Sequence, residues 1–359
     1  MRGHGSLQTL AGLLAVVVSL VVAGPSAPDA QDKPRHGGVL NWYVYGDPGR
    51  LDVHLESPLS VQQSISGVYS SLLHRDPDDP SKIVGDLAER WGSAYAVEIG
   101  GEYLMFDCGP AATWKLVKAG IFPTKVDYLF FTHHHFDHDV DYPAFLLCRW
   151  DQSIGKENQL RVYGPTLTES ITEKILGEDG AFAHDWKARV GHPLSQRVFV
   201  NRGGTLPRTP PSVLARDIGP GPVHAGREWR VTAAPAEHVQ PFLDSLAYRL
   251  DGAEGSIVFT GDTQPCRSVV ELARGADMML CMCWDDTQRM EAMGENFGQC
   301  GTLGAAQMAQ EAGVKRLVLV HVGPHLAQHG PMEKGIGDVR RIYEGEVIFA
   351  DELLALPVR

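Results

Sequence analysis

From residue 92 onward, short apolar runs alternate with amphipathic stretches, the pattern of a layered α/β protein. "SAYAVEI" and "EYLMFD" flank Gly100-Gly101 and predict a hairpin. "AATWKLVKAG" reads as a helix closed by Gly120, and "VDYLFF" as a strand apolar on both faces. "DYPAFLLCRW" reads as a helix, "QLRVYG" as a strand, and "TLTESITEKILG" as a helix capped by Thr166 or Thr168. Farther on, "WRVTAA" alternates as a strand should, while "GSIVFT" and "KRLVLV" are buried-type strands. "PCRSVVELARGADMMLCMCW" predicts a helix followed by a strand. Between Glu178 and Val231 the pattern weakens. There "RGGTLPRTPPSVLARDIGPGPVHAG" predicts a long surface excursion, either a lid at a site mouth or a linker.

The strand ends carry the chemistry. Directly after "VDYLFF" comes Thr132-His133-His134-His135-Phe136-Asp137-His138. Neutral imidazole nitrogen and carboxylate oxygen are donors that suit zinc and its neighbours. Alternate residues of an extended segment point the same way, so His133 and His135 can hold one ion. After the turn, Asp137 and His138 can reach a second, and His134 points away. A solvated His-rich loop is the bland alternative. Further donors stand at other strand ends: His238 after "WRVTAA", Asp262 in "VFTGDTQPC" and His321 in "VKRLVLVHVGP". Asp285 and Asp286, after Trp284, read as a solvated turn, with lining of a pocket as the alternative.

Together with the upstream "YLMFDCGPAAT", this constellation resembles the metallo-β-lactamase superfamily over residues 92 to 359. It is most similar to the ribonuclease Z and arylsulfatase-like phosphodiesterase branch. The resemblance implies an αββα sandwich with a binuclear metal site at the top of two facing sheets. Two Zn2+ are implied, with Mn2+ or Fe as alternatives. Carried onto this chain, one metal would take His133, His135 and His238, and the other Asp137, His138 and His321, with Asp262 bridging both. Asp107, in "FDCG", matches a family aspartate that orders the ligand loop without binding metal. The implied enzyme is a metal-dependent hydrolase of a phosphodiester or sulfate ester, using a hydroxide shared by the two metals. Asp137 would orient that hydroxide and accept its proton. Lactonase or β-lactamase activity is the alternative within the class.

Two departures from the ribonuclease Z pattern shape the substrate expectation. Members of that family carry a long tRNA-binding arm between the third-motif histidine and the bridging aspartate. Here His238 and Asp262 are 24 positions apart, which leaves no room for an arm. The family's His-Ser-Thr element, whose histidine assists the leaving group, is replaced by Cys300-Gly301-Thr302. His325, four residues past His321, is a candidate replacement as proton donor, with an ordinary surface histidine as the alternative. Charge points the same way. With 32 Lys+Arg against 44 Asp+Glu the chain carries a formal −12, and no basic run offers a phosphate-neutralising patch. A small-molecule ester or phosphodiester is therefore expected rather than a folded nucleic acid. Relatives in the resembled family dimerise, so a homodimer is an expectation of the resemblance alone.

The amino terminus belongs to something else. Arg2 and then "LAGLLAVVVSLVVAG" make a basic start and an apolar stretch too short to span a bilayer comfortably. That suits a secretory signal peptide over residues 1–30, with an uncleaved anchor as the alternative. Residues 31–91 contain a stretch, "GGVLNWYVYGDPGRLDVH…LAERW", that resembles the opening of a dipeptide/nickel-type extracellular solute-binding protein. Only its opening is present, so this segment lacks most of its packing partners. A transporter solute-binding component is the competing functional class. The strand that opens hydrolase domains of this branch is missing, and "VLNWYVYGD" could replace it. Export to the periplasm follows if the leader is genuine, and a cytoplasmic place if the segment is a fusion artefact. All six cysteines fall within 92–359, at core strands and metal loops, which reads as free thiols of a reducing compartment.

Overall fold

The computed structural model describes residues 73–75, 83–85, 92–154 and 159–358. The leader, most of the solute-binding-like segment and the "VLNWYVYGD" strand lie outside the described residues. Of residues 31–91, a two-stranded antiparallel pair is described, β1 (Leu73–Arg75) and β2 (Ile83–Gly85). No helix among the described residues is long and apolar enough to cross a membrane.

The remaining strands form two sheets. The first runs in the order β3 (Tyr95–Ile99), β4 (Glu102–Phe106), β5 (Val126–Phe130), β6 (Leu160–Gly164), β7 (Val213–Asp217). Gly100 and Gly101 both adopt positive φ, which closes the β3–β4 hairpin, and the other pairings are parallel. The second sheet contains β8 (Gly221–Ala225), β9 (Trp229–Pro235), β10 (Leu246–Gly252), β11 (Gly255–Phe259), β12 (Met278–Met282), β13 (Arg316–Val320) and β14 (Glu346–Phe349). Neighbours from β8 to β11 pair antiparallel, and those from β11 to β14 pair parallel.

The facing sides of the sheets bury aromatic rings against one another. Phe106 of β4 stacks on Phe259 of β11 with centroids 3.9 Å apart, and Phe130 and Tyr248 close the same cluster. Burying large rings from both sheets in one layer joins the sheets and stabilises the sandwich. Helices cover the outer faces. α1 (Ala112–Lys118) follows β4, the one-turn α2 (Phe136–Asp139) follows β5, and α3 (Tyr142–Gln152) covers the first sheet. α4 (Thr168–Leu176), α5 (Ala183–Gly191) and α6 (Pro193–Asn201) precede β7. α7 (Arg267–Ala273), α9 (Thr302–Ala312) and α10 (Pro331–Arg340) cover the second sheet, with the short α8 (Thr287–Met293) between α7 and α9. The result is the αββα order that the resemblance implied.

Three expectations are corrected. The Pro/Gly-rich stretch 202–226 is not a surface excursion: it supplies β7 and β8, an edge strand of each sheet, and α5 and α6 fold before it where the pattern weakens. Proline and glycine disguise strands that need few ladder bonds at an edge. Neither threonine caps α4, whose N-cap is Leu167 at φ 91. Thr166 bonds Asp244 and Thr168 bonds the Pro165 carbonyl, while Asp217 of β7 accepts from the Leu167 and Glu169 amides instead. Finally, Asp285 and Asp286 are buried rather than solvated.

Candidate metal centre

The centre is assembled where strands of both sheets end. Asp107, just past β4 with a left-handed φ of 59°, accepts from the Thr132 amide at 2.7 Å and the Thr132 hydroxyl at 2.9 Å. It also accepts from His138 Nδ1 at 2.8 Å, so one buried carboxylate fixes both ends of the Thr132–His138 loop. Backbone bonds lock the loop further. Leu246 N donates to Thr132 O at 2.9 Å, tying it to the second sheet, and Cys108 N donates to His138 O at 2.6 Å. Gly109 is required here, since a Cβ would stand 2.1 Å from the Asp137 carbonyl.

Two groups of donor atoms result, each with its atoms within 4.8 Å of one another: His133, His135 and His238, and Asp137, His138, Asp262 and His321. These are all seven residues that the sequence singled out as ligands. In the first group, His135 Nδ1 lies 3.0 Å from His133 Nε2 and 3.2 Å from His238 Nε2. In the second, His321 Nε2 lies 3.0 Å from Asp137 Oδ2 and 3.4 Å from Asp262 Oδ2. Asp262 stands between the groups, with Oδ1 3.4 Å from His138 Nε2 and Oδ2 3.8 Å from His238 Nε2. His321 adopts φ 53°, a left-handed conformation that a non-glycine residue holds only under constraint. His134 does turn away, between Thr168 Oγ1 and Asp139.

Hydrogen bonding decides what this arrangement can accept. His238 Nδ1 donates to the Gly298 carbonyl at 2.5 Å, leaving Nε2 as a lone pair. Thr132 Oγ1, already donating to Asp107, can only accept from His133 Nδ1 at 3.1 Å, so His133 Nε2 is also a lone pair. Two acceptor nitrogens thus converge on His135 Nδ1. His138 is anchored through Nδ1, and its buried Nε2 has no hydrogen-bond partner. Convergent lone pairs and an orphaned ring nitrogen, with the rings of His133, His138 and His238 held by outer partners, fit divalent cations.

Electrostatics favour neutral rings at His133 and His135, ionised carboxylates at Asp137 and Asp262, and a positive charge at His138. Burial, then the neighbouring His138, holds the His133 imidazole well below its ordinary pKa. Burial and His238 lower His135 as well. Burial works against charge on Asp262, yet His321 and His138 outweigh it and keep the carboxylate ionised well below its usual range. At Asp137, burial is outweighed by the His321 hydrogen bond. At His138 burial is overcome by Asp262 and Asp107, which raise its pKa.

Two neighbouring features add to the picture. His325 Nδ1 bonds Asp285 Oδ1 at 2.7 Å, and Asp285 Oδ2 takes Arg289 Nε at 3.0 Å. The adjacent Trp284 ring stands 5.9 Å from the His321 ring, and Gly323 N donates to Trp284 O, so this pair adjoins the centre. Cys300 is buried, its thiol donating to the Gly301 carbonyl at 3.5 Å, and contact with Cys281 together with burial pushes its pKa well up. None of the six cysteines is in a disulfide. The supporting roles of Gly298 and Gln264 carry no signal in the sequence, because they act through backbone or solitary contacts with no motif, while the sequence reads Asp285 as part of a solvated turn. A cavity of about 600 Å³ lined by Leu146, Trp150, Phe199 and Arg208 holds none of the seven donors, so volume does not locate this centre.

The comparisons point the same way. The Beta-lactamase superfamily domain matches residues 103–322. Ribonuclease Z of Mycobacterium sp. (strain KMS) is 28% identical over 247 residues, 67% of this chain and 81% of that protein. Ribonuclease Z of Methanothermobacter thermautotrophicus is 27% identical over 255 residues, 64% of this chain and 80% of that protein. Among solved structures, the metallo-beta-lactamase fold protein YhfI from Bacillus subtilis superposes with TM-score 0.54 at 23% identity, covering 74% of this chain and 91% of that one. Human tRNase Z, short form, gives TM-score 0.50 at 18% identity, covering 75% and 93%. The solute-binding likeness of the amino terminus finds no support among these matches. With the matched region spanning more than half of the chain and running from β4 to the loop after His321, the chain belongs to the beta-lactamase superfamily, as a metal-dependent hydrolase of the metallo-β-lactamase fold.

Proposed function

We propose that this protein hydrolyses a phosphodiester, holding two divalent cations, zinc foremost, in the two donor groups. The position of Asp262, with its carboxylate 3.4 Å from His138 Nε2 and from His321 Nε2 and 3.8 Å from His238 Nε2, is the observation that carries the binuclear reading. His133, His135 and His238 would hold one ion, and Asp137, His138 and His321 the other. Such a pair of cations supplies Lewis acidity, lowering the pKa of an attacking water and neutralising charge on the ester oxygens.

The chain's own residues do the rest. Asp107 and Gly298 orient His138 and His238 through their outer ring nitrogens. Asp137, whose carbonyl is held by the Ser93 amide at 2.9 Å, takes the proton of the attacking water on its carboxylate. His325 donates a proton to the departing oxygen from Nε2, because Asp285 accepts from Nδ1 and so sets the ring's direction. This pair stands in for the histidine that Cys300 replaces, since a buried thiol of raised pKa makes a poor proton donor. We assign the activity to residues 92–359, with 1–30 and 31–91 as leader and appendage; localisation follows whichever is genuine.

The substrate reading weighs two facts. Curated relatives are named Ribonuclease Z, which supports phosphodiester chemistry. The formal charge of −12 and the direct His238 to Asp262 connection through β10 and β11 favour a small diester over folded RNA. The test is hydrolysis of bis-p-nitrophenyl phosphate by purified full-length protein, alongside p-nitrophenyl sulfate, a homoserine lactone and nitrocefin. Diester turnover that a chelator removes and zinc restores supports the reading. Turnover of only the sulfate, lactone or β-lactam, or a protein devoid of transition metal and unresponsive to zinc or manganese, overturns it.

A further inference from the structure

Twelve phenylalanines occur in the chain, and four of them are strongly exposed. Three of those four, Phe136 at 60%, Phe242 at 87% and Phe297 at 84%, sit on the loops that carry or support the His133, His135 and His238 group. Scattered exposed apolar residues need no explanation, but large apolar side chains gathered at one place do. Phe136 directly follows His135 and opens α2. Phe242 lies four residues past His238, in a turn closed by its own amide on the Val239 carbonyl at 3.0 Å. Phe297 precedes Gly298, whose carbonyl receives His238 Nδ1 and whose amide is held by Gln264 Oε1 at 3.0 Å.

These loops meet in space. Gly298 has φ 72°, and a Cβ there would stand 2.1 Å from the His238 carbonyl, so the Phe297 loop packs directly on the His238 loop. His135 and His238 bring the Phe136 loop to the same point, with ring centroids 4.9 Å apart. The fourth exposed phenylalanine, Phe122, follows α1, away from these loops. The loops that carry the three exposed rings therefore converge beside the His133, His135 and His238 group.

We propose that Phe136, Phe242 and Phe297 are specificity-determining residues that select diesters bearing a planar ring on the arm that does not depart, by stacking or edge contact with that ring. This rests on the phosphodiesterase reading above and adds the substrate class. A ring packed against exposed aromatic side chains loses water from both surfaces and gains face or edge attraction, which suits an aryl group or a nucleobase alike.

The test uses metal-replete full-length protein and three diesters that share a p-nitrophenyl leaving group and differ in the other arm: ethyl, phenyl and thymidine 5′. The wild type should favour a ring-bearing arm over ethyl by about tenfold in kcat/KM, carried by KM, equivalent to about 1.4 kcal/mol. F242A and F297A should each erode that preference, and the double variant should bring it close to parity. Their exposure leaves the fold little affected by truncation. A preference for thymidine over phenyl identifies a nucleobase, and equal preference identifies a simple aryl group. Calorimetric titration with phenyl phosphate and ethyl phosphate gives the same comparison without turnover, so failure of the hydrolase reading and failure of the rim stay distinguishable. Equal affinities, or a preference that survives both substitutions, overturn the rim. A dimer in sedimentation velocity that F242A or F297A dissociates also overturns it, since the rings would then cover a second copy.

Discussion

The two donor groups share Asp262 but are built differently. Asp137, His138, Asp262 and His321 are all buried, and His138 is tied through Asp107 to the β4 end and the whole Thr132–His138 loop. In the other group only His133 is buried; His135 and His238 are half-buried, and His238 is held by a loop carbonyl. One group is set in the sandwich and the other faces outward, toward the exposed phenylalanines. On the two-metal proposal the difference separates two tasks: the inner group would fix charge and geometry, and the outer group would be the one nearer substrate and the easier one to empty.

The largest expected effect comes from the residue common to both. Asp262→Asn should lower diester turnover by more than the ~10–100-fold typical of changes outside the ligand set, and should reduce metal content from two ions toward one or none. Two ions retained at wild-type affinity would break the comparison at its root. Next, Asp107→Asn should weaken the inner ion by about 10–100-fold, because His138 loses the acceptor that directs its Nε2, while the outer ion changes less. Competition with a chromogenic chelator resolves the two affinities, and an equal loss at both would show that the groups are not independently supported.

A smaller effect concerns the departing group. His325→Gln should cost about 100-fold on a diester with an alkoxide leaving group and much less on a p-nitrophenyl ester, whose phenolate leaves without a proton. Asp285→Asn should move the same ratio in the same direction through His325 orientation. A leaving-group-independent loss would make the pair structural.

The smallest is a control far from the centre. Asp277 accepts from Lys315 Nζ at 2.7 Å and from the Ser256 amide and hydroxyl, and the Lys315 contact leads in holding its carboxyl below the usual range. A depressed folded pKa stabilises above the unfolded value near 3.9 and is lost as pH falls through the folded value. With Lys315 largely exposed, Asp277→Asn should cost about 1 kcal/mol at pH 7 in urea unfolding, converging on wild type in acid, with metal content unchanged.

Much of this was legible in the chain. The buried strands β5, β11 and β13 announce themselves as apolar runs, and the donors stand at or just beyond their ends, so the pattern and the chemistry read together. Edge strands β7 and β8 escaped notice because one-sided pairing tolerates the proline and glycine that signal loops. The Asp285–Asp286 pair misled for another reason. Adjacent acids usually face water, but here Arg289, four residues on, pairs with Asp285. His325 and Lys334 arrive from distant positions to bond Asp285 and Asp286, and no local pattern records those two. Gly298 acts only through its carbonyl, which is the same in every residue type.

The central claim is most directly tested by anomalous X-ray scattering at the zinc absorption edge from crystals of the zinc-loaded full chain. The account expects two peaks about 3.5–4 Å apart, one among His133, His135 and His238, the other among Asp137, His138 and His321, with Asp262 touching both. A single peak, or metal bound elsewhere with Asp262 in contact with none, would contradict it.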